Sequence, residues 1–191
     1  QGVDLVTASS VNGTLDLDST LTIAATGSLS APRGNLSIAY GHATNPALDV
    51  NCTTVADQFK HNDGTFLFDS TSLDQVFDSG GATFFDIDVD NTSSGLMIQE
   101  DCTILGTLDC IDDAATIGFD ADGAAGNVTI TFGDADNQAT IVNNGVAGRI
   151  SVRGNSSRIL TLQGYSAIQP CLVTGTDWGW DSRTATAGKF L

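Results

Sequence analysis

Apolar side chains in this chain come in short runs of period two, and the pattern never switches to the period of a helix. The runs are LDL at 15, LTI at 21, LSI at 36, LDV at 48, FLF at 66, FFDIDV at 84, LMI at 96, TILGTLDCI at 103, TIGF at 116, VTITF at 128, ATIV at 139, RISV at 149 and ILTL at 159, most of them alternating. Alternation of this kind sends one set of side chains to each face of an extended segment. Between the runs stand turn formers such as NGT, DG, SGG, SSG, ADG, NNG and RGN. No window long enough for an amphipathic helix keeps apolar groups at i, i+3, i+4 and i+7, so the reading is strand and turn throughout. An all-β chain of such short strands has two solutions, a β-sandwich or jelly roll, or a β-solenoid whose rungs stack along an axis.

Rungs of the form Gly-Thr-Φ-x-Φ-Asp, with Φ apolar, recur at NGTLDLD, DGTFLFD and, with a bend, LGTLDCID. Their recurrence favours the solenoid. The expected organisation is one elongated β domain over residues 1–191, with 1–12 as a strand donated to a neighbour or an N-terminal cap and 174–191 as a C-terminal cap.

Three consecutive motifs narrow this further: HNDGTFLFD at 61–69, TFFDIDVDN at 83–91 and TILGTLDC at 103–110. They resemble a widespread repeat of bacterial, archaeal and phage surface proteins of filamentous-haemagglutinin type. The resemblance covers about a third of the chain closely. It implies a right-handed parallel β-helix and an extracellular or virion structural role, with no active site to carry over.

The surface is one of aspartate. Asp and Glu number 23 against 7 Lys and Arg, a net charge of −16, and Glu100 is the only glutamate. Nucleic acids and anionic lipids bind through Lys and Arg, so this composition argues against both as partners. No apolar run reaches the roughly 18 residues of a membrane span. Gln1 in place of a methionine reads as a processed or a trimmed terminus, and removal of a secretion signal would explain it. Six of the eleven asparagines, Asn12, Asn35, Asn51, Asn91, Asn127 and Asn155, sit in Asn-x-Ser/Thr. They are glycosylation candidates, or simply the residues of which turns are made. Cys52, Cys102, Cys110 and Cys171 show no C-x-x-C and so no zinc ribbon. They allow two disulfides in any of three connectivities, with Cys102 facing Cys110 if Gly106 marks a turn, or else serve as small core residues.

Candidate sites are sparse. FFDIDVDN alternates Asp86, Asp88 and Asp90 with Phe85, Ile87 and Val89, as a half-buried strand does, and lacks the glycine and glutamate of a calcium loop. Calcium, the one cofactor considered, would find better loops at Asp120 and Asp122 or at Asp134 and Asp136. His42 and His61 have no metal-binding or catalytic spacing and read as turn or surface residues. There is no nucleophile elbow and no phosphate loop, and no enzyme is expected. Trp178 and Trp180 either cap the last rung or anchor a partner. The expected function is a structural, self-associating subunit of an extracellular surface filament or sheath. The alternatives are a phage or archaeal-virus virion protein and a glycan-binding adhesin.

Overall fold

The short runs stack. The computed structural model describes residues 5–6, 13–42, 45–71, 74–91, 95–111, 115–120, 126–144, 149–153, 160–165, 172–175 and 179–181. Every strand pairing among them is parallel, and the chain winds as a β-solenoid of three strands per turn. A sandwich or jelly roll, both built from antiparallel pairs, is thereby excluded.

One face is a seven-stranded sheet of β2 (Leu15–Leu17), β5 (Asn35–Ile38), β8 (Thr65–Phe68), β11 (Asp86–Val89), β14 (Thr107–Cys110), β17 (Thr140–Asn143) and β20 (Leu172–Gly175). A second has β3 (Leu21–Ile23), β6 (Pro46–Val50), β9 (Gln75–Asp78), β12 (Leu96–Ile98), β15 (Thr116–Asp120), β18 (Arg149–Arg153) and β21 (Gly179–Asp181). The third is split between β1 (Leu5–Val6), β4 (Leu29–Ser30) and β7 (Phe59–Lys60), and β10 (Thr83–Phe84), β13 (Cys102–Ile104), β16 (Val128–Phe132) and β19 (Leu160–Gly164). The Gly-Thr rungs seen in the sequence are β2, β8 and β14, all on the first face.

Parallel sheets buried on both sides read as continuous apolar runs. Strands with one side less buried, such as β8, β11 and β16, keep the alternation, whereas β12 is buried on both sides and β9 nearly so. Phe66, Ile87 and Leu108 stand in register one above another, one turn every 21 residues, and all three are fully buried. Longer turns carry insertions, such as the single helical turn α1 (Val55–Gln58), the exception to a reading of strand and turn alone. Gln58 ties α1 down, its amide donating to Ala25 O at 2.9 Å and Gly27 O at 2.6 Å.

The core is a spine of phenylalanines. Phe84 lies 5.0 Å from Phe59, 5.1 Å from Phe66 and 4.8 Å from Phe77, ring centroid to centroid. Edge-to-face packing of this kind adds about 0.5–1.5 kcal/mol per pair beyond area burial. The rings bridge all three faces and carry the third face across the gap between β7 and β10.

At both ends the described strands continue the ladder. Leu5 and Val6 pair with Leu29 and Ser30 of their own chain, so this part of the segment 1–12 is a rung, not a strand handed to a neighbour. The region expected as a cap, 174–191, begins as the seventh turn, since β20 pairs with β17 and β21 with β18.

Candidate functional site

The carboxylates of FFDIDVDN face outward, and Ile87 and Val89 are fully buried. Phe85 departs from the expected alternation. The chain bends there between β10 and β11, so Phe84 is the buried ring and Phe85 stays half-buried, stacked 6.1 Å from His61. Stacking of rungs sets Asp88 directly against Asp109 of the next turn. Asp109 is only 8% exposed. Its Oδ2 accepts from the Asn144 amide, and its Oδ1 has no partner. Burial first, then Asp109, Asp86 and Asp90, push the Asp88 carboxyl up to about 6. On the second face Asp49 and Asp78 are in register, and burial, with Glu100 and Asp49, raises Asp78 to about 6. These rows hold protons where an ordinary aspartate has lost them.

The calcium loop candidates divide. Asp134 Oδ1 accepts from the backbone N–H of Asp136 at 2.9 Å and of Asn137 at 2.8 Å, which closes its own turn. Asp120 ends β15 opposite Arg153, and Asp122 lies outside the described residues. Among the described residues no three His, Cys, Asp or Glu side chains are grouped to hold a metal.

The cysteines correct the disulfide expectation. Cys52, Cys102 and Cys110 are free thiols, whereas two disulfides need all four cysteines; Cys171 lies outside the described residues. Gly106 marks a corner from the third face to the first, not a hairpin, so Cys102 and Cys110 sit on different sheets. Cys110 Sγ donates to Ala115 O at 3.1 Å, and complete burial pushes the Cys102 thiol far up.

Of the asparagines, Asn35, Asn51 and Asn127 are exposed, and Asn12 and Asn155 lie outside the described residues. Asn91 is removed as a glycan acceptor. It is fully buried, and its amide donates to Gln75 Oε1 at 3.2 Å and Gly95 O at 3.3 Å. Trp180 stands in backbone register with Ile150, on the line of Ile117 and Leu96, while Trp178 lies outside the described residues. His42 is a turn residue whose Nδ1 accepts from Asn45 N at 3.1 Å.

The HNDG corner is built from its residue types. Asn62 and Asp63 both take positive φ, 52° and 56°, and Gly64 N donates back to His61 O at 3.1 Å, a tight turn that Asn and Asp tolerate. The Asn62 amide donates to Ser30 Oγ at 2.8 Å and Ala31 O at 2.7 Å, fastening the corner to the previous turn. A Cβ on Gly64 would lie 2.1 Å from Pro32 O, so only glycine passes.

Beside this corner lies a cavity of about 540 Å³, lined by Arg33, Val55, Ala56, Phe59, Lys60, His61, Asn62, Asp63, Gly81 and Thr83. Burial lowers the His61 pKa against the opposing pull of Asp63, 3.5 Å away, and of Asp134. Sequence reasoning missed the cavity: Arg33 and Lys60 are far apart in the chain and meet only because consecutive turns stack.

No protein-family profile matches the chain, and no curated protein and no solved structure shows significant similarity to it. The fold defines its class, the parallel β-solenoids. The resemblance to filamentous-haemagglutinin-type repeats rests on the three motifs alone.

Proposed function

We propose that the protein is a non-catalytic structural subunit of an extracellular filament or sheath, assembled by stacking copies end to end. The observation that carries this reading is the in-register parallel ladder, which further rungs of the same kind can extend. Among the described residues β2 and β3 pair only with β5 and β6, and β20 and β21 only with β17 and β18. A terminal strand presents a row of N–H and C=O groups without ladder partners. A further set of rungs from an identical copy satisfies them, and a head-to-tail contact whose rotation does not close grows into a filament. An acidic exterior and exposed acceptor asparagines at Asn35, Asn51 and Asn127 support a place outside the cell. The free thiols lend no support to it.

Copies carrying −16 repel one another until salt screens them. Light scattering and negative-stain microscopy test the proposal: open-ended fibres are expected at about 0.5 M salt, where screening reaches only a few ångströms, and monomers at low ionic strength. Closed trimers would favour the virion module instead. Monomers at every ionic strength would overturn the proposal.

A further inference from the structure

We infer that the cavity beside the HNDG corner is a binding site for a sugar bearing a single carboxylate. Both Lys and Arg side chains that the structure describes, Arg33 and Lys60, line it, in a chain with 23 acids. Neither is paired with a described acid. The Lys60 amine donates to the backbone carbonyl of Ala56, and Arg33 makes no hydrogen bond or ion pair with a described residue. Two exposed cations in so acidic a chain, joined to no described carboxylate, can meet an anion from outside.

The shape and lining narrow that anion. The volume is that of small-ligand pockets rather than of a flat protein contact. A guanidinium fork and a neighbouring ammonium suit a carboxylate, the first by two parallel hydrogen bonds and the second as a point charge. Val55, half-buried, and the exposed Ala56 give a small apolar wall for the C–H face of a pyranose. His61 and Asp63 on the rim supply polar groups for hydroxyls, and the backbone N–H of Asp63 is already taken by His61 Nδ1 at 3.1 Å. Asp63 also limits the charge the site accepts. A polyanion would meet the field of the whole molecule, whereas one carboxylate responds to charges within a Debye length of about 8 Å.

The inference is independent of filament assembly. Titrating the full chain at neutral pH with glucuronate, glucose and acetate, followed by calorimetry, tests it. Glucuronate is expected to bind saturably, acetate more weakly and glucose not at all. Arg33→Gln and Lys60→Gln should each weaken glucuronate binding about tenfold, the effect of losing one charge-assisted hydrogen bond. Both residues are exposed, so the melting temperature should stay unchanged and a folding defect is separable. Equal binding of glucose, acetate as tight as glucuronate, no binding, or binding indifferent to both substitutions would each overturn the proposal. So would a monomer–dimer equilibrium abolished by Arg33→Gln, which would give the cavity to an acidic loop of a second copy.

Discussion

Asp88 shows how stacking changes the meaning of a residue. In one strand it is the wet side of an alternating run; beside Asp109 of the next turn it becomes a carboxyl that burial and like charges hold protonated up to about pH 6. Asp78 behaves alike, and Asp49 and Asp109 are raised as well. The folded state keeps these protons where the unfolded chain, with carboxyls near 3.8, has released them. The stabilisation from Asp88 and Asp78 is therefore fully present below that value and lost as pH rises through about 6. His61, lowered by burial, acts in the opposite sense as pH falls. Asp134, lowered by its backbone hydrogen bonds, does so only below the ordinary carboxyl value of 3.8, outside the interval from pH 7.5 to 5. Asp88 and Asp78, both raised to about 6, titrate inside it. The melting temperature should rise as pH falls from 7.5 to 5, by several degrees. Asp88→Asn should raise it at pH 7.5 and flatten the slope. A melting temperature that falls over this interval would show that the rows are not buried against one another.

At the scale of the element, the interior of each strand was legible and its corners were not. Runs such as LDL and VTITF became β2 and β16, where alternation decides which side is buried, whereas all three residues of LMI in β12 are buried. The two-residue strands β4 and β7 were not legible, since two residues carry no period. Phe85 was placed inside because the bend that ends β10 leaves no trace in alternation. Gln75 is a subtler case. It is fully buried, donating to Ile38 O at 2.6 Å and accepting from Ser70 N at 3.0 Å, and nothing in QVFD marks it as a core residue. The cavity was illegible for the same reason as the Asp rows: its residues are neighbours across turns, not along the chain. The phenylalanine spine gives the sharpest prediction here. Phe84→Ala should cost about 3–5 kcal/mol, the range for a large ring deleted from a core, measured by denaturant unfolding. Phe85→Ala, at the half-buried corner, should cost well under half of that.

The whole molecule is a stack in which each turn buries its apolar edge against the turns above and below, so stability and the capacity to associate share one origin. Both long faces run through all seven turns, and the split third face is joined by rings. The acidic exterior sets when copies can approach, and the cavity beside HNDG adds a local positive exception on the side of the stack. All of this depends on parallel pairing at a spacing of one turn. In isotopically labelled protein, interstrand NOEs measure that pairing most directly. The account predicts parallel-type amide to α-proton contacts linking Phe66 to Ile87 and Ile87 to Leu108. Antiparallel α-proton pairs between strands consecutive in sequence would contradict it.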